Sequence, residues 1–224
     1  MSSQKSASRQ HKERLYQLFA KIGAALSNPH RLELIDLLVQ SPRTVEELAC
    51  LAHLSIANTS QHLQKLKKAH LVIDEKNGLY VKYRLADPEI ARLWVELRRV
   101  TEMQFAEVES ELNLYRAHRP ELEIISFEQL HEGLRREEII LIDARPEIEF
   151  HAGHLPGAVS YPVDTLCYRI DEIPLGKTLV TYCRGPYCAE ADEAVILLSA
   201  YGYPVKRLEE GIAEWRESGY PLEQ

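Results

Sequence analysis

The residues best suited to chemistry in this sequence are two cysteines, Cys183 and Cys188, in the segment CRGPYC. An apolar run at 178–182 precedes the segment and is typical of a buried strand, and a helical pattern follows it. A loop between a strand and a helix N-terminus directs backbone N–H groups and partial positive charge at a thiol, which lowers the thiol pKa. The sequence therefore predicts a thiolate nucleophile at Cys183, with Arg184 as a cation that can hold an anionic substrate. The alternative is a buried structural cysteine at a strand end.

Cys188 has two alternative roles. Its thiol can resolve a persulfide or sulfenic acid on Cys183 into an internal disulfide if the two Cα atoms lie within about 7 Å. Alternatively, Cys188 packs beneath the helix start as a small apolar residue. The remaining cysteines, Cys50 and Cys167, are predicted to be core residues, and four cysteines in this chain favour a cytosolic protein with reduced thiols. The predicted site is completed by the other residues of the loop, Gly185, Pro186 and Tyr187.

Strands and helices alternate over the second half of the chain, which predicts an α/β domain with a mainly parallel sheet. In such a domain the chemistry lies where strands end and helices begin, as the cysteine loop does. Strands are expected at 138–143, 178–182 and 205–208, and helices at 126–136, 164–170, 189–200 and 211–218.

Residues 122–223 resemble the rhodanese domain. The early signature is LIDARPEIEFHAGHLPGAVSYP (141–162), the active-site loop is YCRGPYC, and the terminal signature is RLEEGIAEWRESGYPLE (207–223). The resemblance implies that Cys183 accepts a sulfane sulfur from thiosulfate or a persulfide and passes it to a thiol acceptor. Asp143 and Arg145, in the early signature, are expected to support the loop as an ion pair, with a catalytic role as the alternative.

Loop length separates this chain from phosphatases and arsenate reductases of related fold. Those enzymes need an arginine six residues after the cysteine, and here that residue is Ala189. The difference argues for sulfur transfer rather than phosphate or arsenate chemistry. Cys188 takes the place at which common sulfurtransferases often carry a polar or basic residue, which weakens the case for thiosulfate turnover.

The first half of the chain carries the pattern of a helix-turn-helix. Thr44 and Glu47 have capping-box spacing, and Ser55 can cap the helix IANTSQHLQKLKKAH after a three-residue turn. On that helix, the side chains of Ile56, Leu63 and Leu66 are predicted to face the protein core. The outward face then offers short polar groups that can contact base edges or phosphates, and the alternative is a solvated face of a helical bundle. These outward residues are Asn58, Thr59, Gln61, His62 and Lys65.

A β-hairpin is predicted directly after this helix. The pair Asn77-Gly78 suits a two-residue turn, and the alternation in LYVKYRL predicts the second strand. Lys82 and Arg84 give the hairpin a basic outer face. This is the order of a winged helix, in which the wing contacts phosphates beside the groove.

Residues 12–117 resemble the ArsR family of bacterial transcriptional regulators through LSNPHRLELIDLLV (26–39), TVEELACLAHLSIANTSQHLQKLKKAHLV (44–72) and GLYVKYRL (78–85). The resemblance implies a homodimer on a palindromic double-stranded DNA operator, with the first and last helices at the interface. The last helix is predicted at 88–117 with one apolar stripe, which needs a partner surface. Packing on its own chain is the alternative.

Metal sensing is usual in that family but is not expected here. The family's thiolate motif needs two close cysteines on the helix before the turn, and this chain has only Cys50 there, with His53 three residues on. Two ligands do not close a tetrahedral site. The last helix offers Glu107, Glu111 and His118 without the paired histidine spacing. No metal and no cofactor are therefore predicted.

The charge distribution agrees with two domains of different partners. The chain has 27 basic and 34 acidic residues, yet residues 1–86 carry 13 and 7, whereas residues 118–224 carry 10 and 20. Such asymmetry favours a DNA-binding first half despite the net charge of −7. No apolar run is long enough to span a membrane, and the polar N-terminus has no signal-peptide core, so we expect a cytoplasmic protein.

The predicted organisation is a disordered basic arm (1–11), a winged helix-turn-helix (12–117), a linker (118–123) and a rhodanese-like domain (124–224). The fold class is α+β followed by α/β. The predicted function is a DNA-binding regulator whose rhodanese domain senses or transfers reactive sulfur through Cys183. One alternative is a sulfurtransferase localised by its DNA-binding domain. The other is a metal- or metalloid-responsive repressor with a passive rhodanese domain.

Overall fold

The computed structural model describes residues 2–78, 80–116 and 122–224. The chain forms two compact units, Met1–Trp94 and Val95–Gln224. The first is a winged helix-turn-helix and the second is an α/β domain, which confirms the predicted fold class. Much of the predicted linker, residues 118–121, lies outside the described residues.

The first unit combines helices with a small antiparallel sheet in the order β1-β3-β2. Its sequence signals for helix starts are confirmed, because Asn28 caps α2, Thr44 and Glu47 form a capping box on α3, and Ser55 caps α4. The elements are α1 (Ser2–Leu26), α2 (Pro29–Gln40), β1 (Arg43–Thr44), α3 (Val45–Leu51), α4 (Ile56–Lys68), β2 (Val72–Asn77) and β3 (Tyr80–Leu85).

Two boundaries in this unit differ from the prediction. The arm predicted to be disordered at 1–11 is helical from Ser2, because no proline or glycine interrupts the sequence before Gly23 and Arg9 pairs with Glu13 one turn on (2.7 Å). In the hairpin, β2 extends to Asn77, so the turn begins at Gly78, whose φ is 62°.

The single long helix predicted at 88–117 is two helices, α5 (Glu89–Gln104) and α6 (Ala106–Arg116). Phe105 between them is not helical. One turn before the break, the Thr101 hydroxyl donates a hydrogen bond to the Leu97 carbonyl (2.7 Å), an arrangement that bends helices. The boundary between the two compact units falls within α5.

The second unit is built on a parallel five-stranded sheet in the order β4-β8-β7-β5-β6. The three long strands start or end within one residue of the predicted positions. The further elements are β4 (Ile124–Ile125), α7 (Phe127–Arg135), β5 (Ile139–Asp143), α8 (Glu147–Ala152), β6 (Val159–Ser160), α9 (Val163–Leu166), β7 (Thr178–Tyr182), α10 (Ala189–Ala200), β8 (Val205–Leu208) and α11 (Ile212–Glu217).

Two apolar clusters cover the two faces of this sheet. Successive side chains of a strand point to opposite faces, so Leu141 and Val180 join one cluster with Trp215, whereas Ile142 and Leu179 join the other. Burial on both faces explains why β5 and β7 read as continuous apolar runs. The sheet thus holds the end of β7, where the cysteine loop begins, rigidly within the core.

Candidate functional site

The cysteine loop lies where the sequence predicts, between the central strand β7 and helix α10. Cys183 is almost fully buried, and Cys188 is the residue that precedes the first turn of α10. The two sulfur atoms are bonded as a disulfide, with Cα atoms 6.2 Å apart. The structure therefore shows a covalent bond between the two cysteines, and the role of Cys188 in resolving a persulfide or sulfenic acid stays a prediction.

Arg184 is held by carboxylates on both sides. Its Nη2 and Nε lie 2.7 and 3.0 Å from the carboxylate oxygens of Glu149, and its Nη1 lies 3.1 Å from Glu190 Oε2. Burial alone would lower the pKa of Arg184, but the two carboxylates outweigh it and raise the pKa. Arg184 is therefore a charged member of a local ion cluster, rather than the single cation that the sequence suggested.

Glu190 brings a carboxylate to the two sulfur atoms. Its Oε2 lies 3.3 Å from Cys183 Sγ and 3.7 Å from Cys188 Sγ. Burial raises the pKa of Glu190, and the neighbouring Arg184 offsets part of this effect. A carboxyl group that can accept or donate a proton thus contacts both sulfur atoms, and the sequence did not predict this contact.

The backbone of the loop rests on two residues, Arg207 of β8 and Gly211, the residue before α11. The Arg207 guanidinium of β8 donates to the carbonyls of Gly185 and Pro186 (both 3.3 Å) and pairs with Asp192 of α10 (2.6 Å). A Cβ atom on Gly211 would lie 2.3 Å from the Arg184 carbonyl oxygen, so only glycine fits there. The path of the loop backbone is therefore fixed by hydrogen bonds from the charged Arg207 and by close packing against the Gly211 backbone.

Asp143 and Arg145 form a fully buried ion pair at the end of β5 (2.6 Å). Arg145 also donates to the Gly153 carbonyl (2.9 Å), and the Tyr182 hydroxyl donates to Asp143. Burial, with Asp143 adding to it, raises the pKa of Tyr182 well above its ordinary value, so Tyr182 is a neutral donor. The ion pair is therefore linked to Tyr182, which directly precedes Cys183, and its role in supporting the loop stays a prediction.

Tyr187, between the two cysteines, contacts the C-terminal part of α5. The Arg98 guanidinium lies 5.5 Å from the centre of the Tyr187 ring, and the Tyr187 hydroxyl donates to the carboxylate of Glu102. Arg98 is buried and pairs with Glu214 of α11. A cavity of about 600 Å³ adjoins these side chains and Pro186.

Within the described parts of the chain, one group would have the donor atoms for a metal ion once its disulfide is reduced to two thiolates. The sulfur atoms of Cys183 and Cys188 and a carboxylate oxygen of Glu190 lie within 4.8 Å of one another. The Arg184 guanidinium beside Glu190 disfavours a cation there. Cys50 and Cys167 are both exposed, so the prediction that they are core residues is wrong.

Helix α4 presents a smaller polar surface than the sequence predicts. Gln61 and Lys65 are exposed and Asn58 is half-buried, but Thr59 is fully buried and its hydroxyl donates to the Ser55 carbonyl (3.1 Å). His62 is also buried, and its pKa is lowered by burial and then by the charge of Arg31. Thr59 and His62 therefore do not project outward.

The wing keeps part of its predicted basic face. Lys82 is half-buried on β3, and Arg84 pairs with Glu75 across the hairpin through its Nε (2.8 Å). The pKa of Arg84 is raised, chiefly by this hydrogen bond. Ile56, predicted to face the core of α4, is 53% exposed instead, because it lies in the first turn of the helix.

Sequence reasoning missed the charged residues around the loop. Glu149 and Arg207 lie inside the quoted signatures, where they drew no attention, and Asp192 and Glu190 lie in the first turn of α10. The available signal was their position, since acidic residues in a buried helix start need partners. No helix in the described ranges is long and apolar enough to cross a membrane.

The comparisons with known proteins match both halves of the chain. Residues 28–74 match the model of the bacterial regulatory protein arsR family, and residues 126–218 match the rhodanese-like domain. An HTH-type transcriptional regulator of Mycobacterium tuberculosis, Rv0324, is 37% identical over 95% of this chain and 93% of its own length. A sulfurtransferase of Allochromatium vinosum is 33% identical over 38% of this chain and 79% of its own.

One solved structure similar to the first unit is the winged helix-turn-helix domain of Mb0332 from Mycobacterium bovis, described as homodimeric. It is 34% identical, covers 42% of this chain and 87% of its own, and has a TM-score of 0.41. The alignment with the Mycobacterium tuberculosis regulator runs through both units of this chain. The chain therefore belongs to the ArsR-family transcriptional regulators that carry a C-terminal rhodanese domain.

Proposed function

We propose that this regulator binds its operator as a homodimer and changes its DNA affinity when reactive sulfur oxidises the thiols of Cys183 and Cys188. The observation that carries the proposal is the position of Tyr187. This residue lies between the two bonded cysteines and contacts Arg98 and Glu102 of α5. Chemistry on the loop therefore acts on a side chain that is packed against the part of α5 that lies in the second unit, and α5 begins in the first unit.

The chemistry needs two steps and no oxidant besides the sulfur donor. The Cys183 thiolate attacks the outer sulfur of a persulfide RSSH, which forms the Cys183 persulfide anion and releases the thiol RSH. The Cys188 thiol then attacks Cys183 Sγ, which closes the disulfide and releases HS⁻. The sulfane sulfur is reduced to sulfide, the two thiols are oxidised, and the Cys188 proton leaves on HS⁻.

The loop transmits this change because part of its backbone is anchored. Arg207 and Gly211 hold the backbone at 184–186, so closing or opening the disulfide must be absorbed by the rest of the loop, at Tyr187 and Cys188. Tyr187 is exposed, unlike the other residues between the cysteines. Its contacts with α5 are therefore expected to differ between the dithiol and disulfide states.

Exposed apolar side chains on α1 support the homodimer. These side chains lie on consecutive turns of one helix, and contiguous exposed apolar surface marks an association site. They are Leu15, Tyr16, Leu18 and Phe19. Association through this helix is also what the ArsR resemblance implies.

Polysulfide is expected to change operator affinity at least about fivefold in the wild type, within the 1–3 kcal/mol range of allosteric coupling energies. The measurement is a DNA-binding titration of the full chain before and after polysulfide, with mass spectrometry of the loop peptide. Cys183→Ser is expected to abolish the response, and dithiothreitol is expected to reverse it in the wild type.

Cys167→Ser is the matched control, since Cys167 is an exposed thiol in the same unit and its loss is expected to leave the response intact. An unchanged affinity in polysulfide-treated wild type, with the disulfide formed, would contradict the coupling. The same samples test a second candidate, a sulfurtransferase, which the Allochromatium vinosum relative favours. About one sulfide released per chain, with the loop disulfide formed, indicates a sensor, and repeated formation of the persulfide of an added acceptor thiol indicates an enzyme.

DNA binding by the first unit is tested independently by removing a positive charge from the proposed DNA-contacting surface. Lys65, exposed on α4, is proposed to contact a phosphate, together with base or phosphate contacts from Asn58 and Gln61 and from Lys82 of the wing. Lys65→Gln is expected to lower the slope of log affinity against log salt by about one and to weaken binding on all sequences alike. Lys177→Gln, in the second unit, is expected to leave the slope unchanged, and an unchanged slope in Lys65→Gln would remove Lys65 from the interface.

A further inference from the structure

We infer that Glu190 selects the sulfur donor: it disfavours dianionic donors such as thiosulfate and leaves neutral or singly charged persulfides as substrates. The inference rests on the proposed function, because it concerns which donor reaches Cys183. It departs from the expectation that Arg184 attracts an anionic substrate. The selection depends on which charged groups lie nearest the reacting sulfur atoms.

The charges beside the thiols sum to a negative value. Arg184 contributes one positive charge, and the carboxylates of Glu149 and Glu190, both within hydrogen-bond distance of its guanidinium, contribute two negative charges. A carboxylate oxygen of Glu190 lies 3.3 Å from Cys183 Sγ and 3.7 Å from Cys188 Sγ, and the Arg184 guanidinium lies 4.0 Å from Cys188 Sγ. An anion at these sulfur atoms therefore lies beside a carboxylate, and the Arg184 cation near it is already paired with two carboxylates.

The N-terminus of α10 adds a positive potential, equivalent to about half an elementary charge, which stabilises one thiolate. A thiolate at Cys183 uses this potential before any donor arrives. The two negative charges of thiosulfate would be added to the charge of that thiolate, so they are repelled rather than attracted.

The two donors differ most in the charge that they bring to this point. Transfer from thiosulfate forms a bond between Cys183 Sγ and the outer sulfur, breaks the S–S bond of thiosulfate and releases sulfite as a dianion. Transfer from RSSH forms the same bond and releases neutral RSH, with the proton moving from the outer sulfur to the leaving sulfur. Only the reaction with thiosulfate keeps a dianion beside Glu190, first as the donor and then as the sulfite that leaves.

The test compares two donors on the reduced full-length protein. Rates of sulfite release from thiosulfate and of thiol release from mercaptoethanol persulfide are measured by stopped flow. Glu190→Gln is expected to raise the thiosulfate rate constant at least about tenfold and to change the persulfide rate constant less than about threefold, since tenfold corresponds to one pKa unit of electrostatic interaction. Glu193→Gln, exposed on the same helix, is expected to change the ratio less than about twofold.

The wild type alone provides a second measurement, so the inference does not depend on the folding of a variant. Repulsion between like charges is screened by salt, so the thiosulfate rate is expected to rise with ionic strength while the persulfide rate stays nearly constant. Equal rates for both donors in the wild type, or an unchanged ratio in folded Glu190→Gln, would overturn the inference and leave the proposed function standing. A wild type that reacts with neither donor would overturn both.

Discussion

Replacing Asp143 with alanine is expected to lower the free energy of unfolding of the second unit by about 3–5 kcal/mol. The cause is the positive charge of Arg145, which the substitution leaves buried without its carboxylate partner. Arg145 is fully buried, and two of its guanidinium nitrogens donate hydrogen bonds to the Asp143 carboxylate (2.9 and 2.6 Å). Tyr182 loses its acceptor in the same substitution. Urea denaturation followed by the fluorescence of Trp215, a buried residue of that unit, measures the change.

The matched control is Asp171→Ala, since Asp171 is exposed in the same unit and its loss is expected to cost less than about 0.5 kcal/mol. A cost below about 1 kcal/mol for Asp143→Ala would contradict the role of the buried pair. Because the chain has two compact units, Trp94 of the first unit is replaced by phenylalanine in all samples, so that the signal reports on one transition.

Replacing Gly211 with alanine is expected to slow the reaction of Cys183 with persulfide at least about tenfold, since a displacement near 1 Å can cost a hundredfold in rate. The added Cβ atom would lie 2.3 Å from the Arg184 carbonyl oxygen and 2.7 Å from the Gly185 nitrogen, and neither backbone atom can move without shifting the loop. A stability loss of about 1–3 kcal/mol is expected with it. Stopped-flow kinetics and thermal denaturation measure the two effects.

Gly23→Ala provides the comparison, because nothing lies within 4 Å of the added methyl group in α1. It is expected to leave the thiol kinetics unchanged and to raise stability by up to about 1 kcal/mol. Wild-type kinetics in folded Gly211→Ala would show that the loop tolerates the displacement and would remove Gly211 from its supporting role.

The sequence predicted the parallel sheet and the position of the cysteine loop because both depend on strong local patterns. Buried strands covered on both faces have few alternatives to continuous apolar runs, and β5 and β7 are such strands. The short helix α8, at Glu147–Ala152, gives no such pattern and was not predicted. Six residues are too few for a helical period to stand out.

Glu149, one of the carboxylates around the loop, escaped prediction because its partner is distant in sequence. Glu149 and Arg184 are 35 residues apart, and only the fold brings them together. The prediction of the exposed face of α4 was wrong at Thr59 for another reason. The Thr59 hydroxyl donates a hydrogen bond to a carbonyl of its own helix, so this polar side chain can be buried. The polarity of a residue alone does not say which face of a helix it occupies.

The disulfide also determines how long a persulfide on this loop can survive. Two thiols separated by four residues meet at an effective concentration that is about millimolar even for a flexible tether, and anchoring of the loop by Arg207 and Gly211 raises it further. A free thiol in solution must exceed that concentration to take the sulfur before Cys188 does. The lasting record of exposure is then the disulfide itself, and the return to the dithiol state depends on a reductant that can open an intramolecular bond.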